Sequence, residues 1–282
     1  MTATTYTTAL ALARDPARFD LDTQPTRWTP PAPFESIDLR PGRIVLIGAP
    51  PGAGKTTLVL QLIFDVTAQH GLRAVIANVE MSADVLIDKL LARLARVDVT
   101  ALMNRNLTEP ERDRILSAVA THADALARIA FHVGPPTVAS VYESTRVFDA
   151  RLIVLDYLQR FVLDAADDRS RLDRLMSQVR RVADQGLAVL VISSVSRQRG
   201  RGGSTYDNLA LASYRGSAEL EFGADAAYLL DADPRHGIAT LRQTKNRYGP
   251  PRDVPLRFNG PHQEFSEGDA LAAYDAAPGG KR

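Results

Sequence analysis

Apolar residues in this chain fall in unbroken runs more often than in alternation. "RIVLIG" (43–48), "RAVIANV" (73–79), "RLIVLD" (151–156) and "LAVLVIS" (187–193) are continuous apolar stretches of strand length. Strands of that kind are buried on both faces, as in a parallel sheet covered by helices. Between them the period lengthens. "KTTLVLQLIFDVTAQHG" reads as a helix closed by Gly71, and "ADVLIDKLLARLAR" (83–96) as the next. Thr108-x-x-Glu111, with Pro110 in the first turn, is a capping-box signature opening "EPERDRILSAVATHADALA". "RIAFHV", a helix near "VASVYESTRVF" and a helix over roughly 168–185 continue the alternation.

Strand and helix in turn predict an α/β domain, a doubly wound and mainly parallel sheet with helices on both faces. "AAYLLD", "IATLRQTK" and "DVPLRF" lie close together and predict extra strands at the C-terminal edge. The domain is expected over 36–266. Residues 1–35 read as an extended N-terminal segment, with "TTALALAR" as one short helix and the proline-rich "QPTRWTPPAP" as a linker. Residues 267–282 read as a flexible tail.

Composition narrows the class without naming a chemistry. Apolar residues make up 45% and charged residues 24%, the balance of an ordinary globular chain. The formal net charge is +1, so any contact with nucleic acid has to come from local clustering. The absence of cysteine excludes disulfide and thiol chemistry and fits a reducing cytoplasm. The histidines are scattered and lack metal-ligand spacing. The N-terminus lacks the pattern of a signal peptide, and no apolar stretch is long enough to cross a bilayer. No membrane partner is expected.

The sharpest local signal is "GAPPGAGKTT" (48–57), directly after the first apolar run. A glycine-rich turn from strand to helix lets backbone N–H groups converge on a phosphate, and the helix N-terminus adds its dipole. Gly52, Ala53, Gly54, Lys55, Thr56 and Thr57 are the candidate cradle. Lys55 suits the β- and γ-phosphates and Thr56 a Mg²⁺ ion. Ala49 stands where the strict pattern has its first glycine. Hydrolysis further needs an acidic metal partner and a group that orients water, at the carboxyl ends of neighbouring strands. Asp156 ends "RLIVLD" and Glu80 follows "RAVIANV". The alternative for each is a strand-end carboxylate capping the next helix.

Several segments, in order, resemble the C-terminal motor domain of DnaB-type replicative helicases, a branch of the RecA-like P-loop ATPases. They are "APPGAGKTT", "VEMSADVLIDKLLARLARVD", "LIVLDYLQ", "YRGSAELEFGAD" and "KNRYGP". The resemblance implies a RecA-like fold that binds ATP with Mg²⁺. It makes Lys55 and Thr56 nucleotide and metal contacts, Glu80 the catalytic glutamate and Asp156 the metal-side carboxylate. Lys245 and Arg247 match the basic pair such enzymes present to the γ-phosphate of a neighbouring subunit, which implies a ring, a homo-hexamer. Two residues apart on a strand, they would point the same way.

In that family two loops line a channel for single-stranded DNA. The corresponding stretches are about 159–170 and 197–217. The second carries Arg197, Arg199, Arg201 and Arg215 followed by Gly216 and Ser217, a local positive stripe without interleaved aromatics. It favours backbone tracking over base stacking.

Two further stretches depart from the family. Ser194 replaces its glutamine after the fourth apolar run, and "RGSA" (215–218) replaces its Arg-Glu-Ser-Gly. The residues before "FESIDLRPG" are too few for the N-terminal collar domain that receives primase, and "TTALALAR" is the candidate helix for docking on a neighbour. A primase or a loader is a possible partner. The leading expectation is a helicase motor. The alternative is a RecA-like regulatory ATPase, an oligomeric switch or adaptor without unwinding. A small-molecule kinase is the weakest reading, since neither a lid nor an acceptor pocket is evident.

Overall fold

The computed structural model describes residues 8–14, 26–162, 168–195, 218–233 and 236–268. A short helix α1 (Ala9–Ala13) precedes β1 (Ile44–Ala49), α2 (Lys55–His70), β2 (Ala74–Asn78), α3 (Ala83–Ala95) and α4 (Val99–Met103). Then come α5 (Glu109–Thr121), α6 (Ala123–Leu126), β3 (Ile129–Phe131), α7 (Val138–Val147) and β4 (Leu152–Asp156). A 3₁₀ turn (Leu158–Arg160) leads toward α8 (Asp168–Ala183) and β5 (Ala188–Ser194). The last described elements are α9 (Ala218–Gly223), β6 (Ala226–Asp233), β7 (Ile238–Asn246), β8 (Val254–Asn259) and β9 (Glu264–Glu267).

The strands form one sheet in the order β3-β2-β4-β5-β1-β6-β7-β8-β9. The first six in that order pair in parallel, and β6 to β9 pair antiparallel. The expected parallel sheet with added strands at its C-terminal edge is what forms.

Successive side chains of a strand point to opposite faces, and here each face has its own core. Val45 and Ile47 of β1, Leu152 and Val154 of β4, and Leu190 and Ile192 of β5 pack with α2 residues such as Leu58 and Leu62. Ile44 and Leu46, Ile153 and Leu155, and Val189 and Val191 pack on the other face with Leu175 and Val179 of α8. That division explains why these runs lack polar positions.

Glycines Gly71 and Gly186 supply left-handed backbone after α2 and before β5 (φ +66° and +84°). The Thr108–Glu111 capping box is present at α5. The single helix expected after it is interrupted at His122, which leaves helical geometry (φ −106°, ψ 15°) and sets its ring edge-on against Phe64.

Of the extended segment expected over 1–35, the part from residue 26 on lies against the domain. Trp28 N–H donates to Leu39 O at 2.8 Å, and Phe34 is fully buried. The Tyr228 hydroxyl on β6 donates to Ser36 O at 3.0 Å. Among the described residues no helix is long and apolar enough to cross a membrane.

Candidate active site

β1 delivers the chain to the mouth of the sheet at Ala49, and Pro50 and Pro51 turn it sharply. Ala53 N–H closes the turn on Pro50 O at 3.3 Å. Gly52 and Gly54 both take left-handed backbone (φ +81° and +84°). Ala49 remains part of the strand, so the position that lacks glycine does not require one. α2 starts at Lys55 with no side-chain cap. Its first-turn N–H groups are therefore available to an anion, at the positive end of the helix dipole.

The neighbouring strands bring carboxylates to the same mouth. Thr56 Oγ1 donates to Asp156 Oδ2 at 2.9 Å, and Asn78 Nδ2 donates to the same oxygen at 2.7 Å. Asn78 and Asp156 are direct partners in the β2–β4 register. Asp156 is 2% exposed, and its Oδ1 is buried with no hydrogen-bond partner. Burial pushes this carboxyl up to about 6, and the Glu80 charge adds to the effect. The Thr56 hydrogen bond, the Lys55 ammonium and Asn78 oppose it.

A buried, unpartnered carboxylate oxygen beside a threonine hydroxyl is a pair of hard oxygen donors, the chemistry Mg²⁺ takes. Among the described residues no group of three or more His, Asp or Glu could hold a metal by itself. A cation here would rest on Thr56, Asp156 and the oxygens of a bound phosphate.

Glu80 lies in the turn after β2 and is exposed. Its N–H and that of Met81 both donate to Asn78 Oδ1, at 2.9 and 2.8 Å. The capping role weighed for Glu80 belongs instead to Ser82, whose hydroxyl accepts Val85 N–H. Lys55 Nζ lies 6.0 Å from the ring centroid of Tyr157, whose hydroxyl accepts from Arg160 Nε at 2.7 Å.

The basic pair sits elsewhere. β6 runs parallel to β1 with Ala226 opposite Val45, and Asn246 of β7 pairs with Ala226. Arg247 therefore lies where β1 begins, at the opposite end of the sheet from the phosphate loop. Five residue steps of β1 at about 3.3 Å each put roughly 16 Å between the two ends. β7 stops at Asn246, so Arg247 occupies the following turn and does not share a strand with Lys245, as the sequence spacing had suggested. Its Nη1 donates to Asp225 Oδ1 at 3.1 Å. Lys245 Nζ lies 3.4 Å from Phe222 O.

The DNA-loop candidates Arg197, Arg199, Arg201, Arg215, Gly216 and Ser217 lie outside the described residues. At the described end of that stretch, Ser194 closes β5 opposite Ala49. Gln159, after the β4 carboxylate, donates to Ser193 Oγ at 2.6 Å.

Sequence reasoning passed over four residues of this region. Asn78 organises both carboxylate positions. Phe258 and Phe265 stack at 4.5 Å and lie against Gly54. Gln263 Oε1 accepts from Thr57 Oγ1 at 2.6 Å and from Lys89 Nζ at 2.7 Å. An asparagine ending a buried strand was a readable signal for the first. The others come from the C-terminal edge hairpin β8–β9, Gln263 from its turn, and nothing local to them points to the phosphate loop.

Comparison with known proteins places the chain in a family. The family described as "DnaB-like helicase C terminal domain" matches residues 36–267. The replicative DNA helicase DnaB of Haemophilus influenzae is 27% identical over 259 residues, covering 84% of this chain and 53% of the relative. That of Leifsonia xyli subsp. xyli is 26% identical, with 84% and 55% covered. The chain thus spans about half the length of the curated relatives it matches. Among solved structures, a DnaB-like replicative helicase, described together with its interactions with primase, superposes with a TM-score of 0.72 at 19% identity. The match covers 81% of this chain and 58% of that one. At that identity the likeness is one of fold.

Proposed function

The chain belongs to the family of DnaB-like helicase C-terminal domains and carries its RecA-like P-loop ATPase fold, and from that premise we propose that it is the motor of a ring-forming DNA helicase. In this reading it hydrolyses ATP at the seams between subunits and uses the cycle to move along single-stranded DNA. The setting is the cytoplasm, the ring is a homo-hexamer, and a primase or a loader is a partner of the assembly.

One observation carries the seam. Arg247 and the phosphate loop of the same chain lie at opposite ends of the sheet. If Arg247 meets a phosphate, the phosphate belongs to another copy. An arginine supplied that way contributes about 10³–10⁵ in rate in related chemistry.

The division of labour follows. Gly52, Ala53, Gly54 and the first turn of α2, with Thr57, cradle the phosphates, and Lys55 reaches the terminal ones. Mg²⁺, when bound, neutralises charge developing on the phosphate oxygens, and Thr56 and Asp156 hold it. Glu80 orients and deprotonates the attacking water, and its exposed place in the β2 turn leaves room for one. Arg247, with Lys245, stabilises the transferred phosphoryl from the neighbouring copy. Arg197, Arg199, Arg201 and Arg215, with Gly216 and Ser217, track the DNA backbone.

The regulatory-switch reading rests on two departures from the family, Ser194 and the altered "RGSA" (215–218). Ser194 is far shorter than the glutamine its family carries there, and beside it Gln159 donates to Ser193 Oγ. The ATPase rate with and without single-stranded oligonucleotide, over a salt series, separates the two. The motor gives stimulation that falls steeply with salt as counterion release weakens the DNA contact. A rate indifferent to DNA at every salt would leave the switch as the better account. Lys55→Ala, with no hydrolysis, is the blank.

A further inference from the structure

We infer that Asp225 is the positioning residue for Arg247, resting on the proposed role of that arginine. Asp225 sits between α9 and β6 with its side chain 3% exposed. Its Oδ2 accepts Ile44 N–H at 3.0 Å and Arg180 Nη2 at 2.9 Å. Its Oδ1 accepts Arg247 Nη1 at 3.1 Å. Its backbone carbonyl accepts Arg247 N–H at 3.0 Å, and its own N–H donates to Ile44 O at 2.8 Å. One residue thereby joins the start of β1, α8 and the turn that carries Arg247.

The turn is held from its other side as well. Arg43 lies 3.5 Å over the ring of Tyr248. Asn246 Oδ1 accepts Tyr248 N–H at 3.1 Å, and its Nδ2 lies 3.2 Å from Pro250 O. Within this grip the Arg247 side chain stays 49% exposed. A guanidinium has five N–H donors, and Asp225 engages one nitrogen of the fork. The carboxylate fixes the arginine from behind and leaves the outer part of the fork for a phosphate. A loose arginine would have to surrender its rotamer freedom at each turnover, whereas this one has already done so.

The two oxygens divide the labour in a way a single substitution can separate. In D225N the amide keeps its oxygen toward Ile44 N–H and Arg180, where two donors wait. Its NH₂ then faces Arg247, donor against donor, and the arginine is released while the structural bonds persist. The 282-residue chain is assayed for ATP turnover as wild type, D225N, R247A and D225N/R247A. Expected is a kcat loss of about tenfold to a hundredfold for D225N, the scale of a misplaced catalytic group. KM for ATP should stay within about twofold, and D225N should cause no further loss on the R247A background.

Wild-type kcat in D225N alongside an R247A reduced to a residual rate would overturn this inference and leave the role of Arg247 standing. So would an equal loss from D225N with and without Arg247, which marks a purely structural carboxylate. Wild-type kcat in R247A would instead remove the role of Arg247, and with it this inference. If D225N melts early, D225E carries the same test. It keeps the charge but shifts the fork, and should lower kcat only where Arg247 is present.

Discussion

Thr56 Oγ1 donates to Asp156 Oδ2 at 2.9 Å, joining the first turn of the phosphate-loop helix to the end of β4 across one hundred residues of sequence. The other oxygen of Asp156 is buried and unpartnered, and the carboxyl is pushed up by burial. Such a group costs stability when charged, since an ionised carboxylate out of water needs a compensating partner. Asp156→Asn keeps an oxygen for Thr56 and Asn78 and removes the charge. In EDTA and without nucleotide at pH 8, its unfolding midpoint should equal or exceed wild type. Its ATP hydrolysis should fall by about a hundredfold or more, as for other lost electrostatic stabilisers. A clear loss of stability in the nucleotide-free protein would show that the carboxylate is there for the fold.

Gly52 and Gly54 share nearly the same positive φ, yet their surroundings differ. A Cβ on Gly52 meets nothing within 4 Å, whereas one on Gly54 comes within 3.0 Å of Phe265 Cζ and 3.2 Å of Phe258 Cζ. Gly52→Ala carries the backbone term alone, about 1–2 kcal/mol. Gly54→Ala adds displacement of a stacked aromatic pair, a further cost of about 1–3 kcal/mol for overpacking. Urea unfolding of the nucleotide-free proteins measures the difference. Equal destabilisation would mean that the aromatic pair yields freely and does not buttress the loop.

Asn78 binds Asp156 through its amide nitrogen and fixes the Glu80 turn through its amide oxygen. Glu80→Gln removes the proposed base while leaving that scaffold, so nucleotide affinity should hold within a few-fold while kcat falls by about 10²-fold or more. Asn78→Ala should lower kcat as well, by about tenfold to a hundredfold, because both carboxylates lose their support. Fluorescent nucleotide binding with single-turnover hydrolysis distinguishes the cases. Near-normal hydrolysis in Glu80→Gln would send the search for the base to another residue.

The sequence made legible whatever was local. Ile44–Ala49, the turn and α2 are contiguous, so the phosphate cradle could be assembled from neighbours in the chain. The apolar runs were readable as strands covered on both faces because neither side chain direction reaches water. Relationships across long separations were not legible. Gln61 exchanges two hydrogen bonds with the backbone of Phe265, 204 residues away, and so fastens the last strand to α2. No pattern around Phe265 announces that. Arg247 and Lys245 looked like one strand face because the spacing is two. The end of β7 at Asn246 and the pull of Asp225 separate them.

The seam itself can be tested by mixing two crippled proteins. Lys55→Ala lacks a working cradle but keeps Arg247, and Arg247→Ala lacks the arginine but keeps the cradle. Since β1 and the pairing of β6 with β7 hold these groups at opposite ends of one subunit, each variant alone should keep at most a small residual rate. In a ring of randomly mixed subunits at equal amounts, about a quarter of the seams join a good cradle to a good arginine, by the head-to-tail geometry of such contacts. ATP turnover in the mixture should therefore rise well above either parent, toward that fraction of wild type if seams act independently. Wild-type specific activity should also climb with protein concentration as subunits assemble. A mixture as silent as its parents, with rings visible by sedimentation, would mean that both groups serve one and the same subunit.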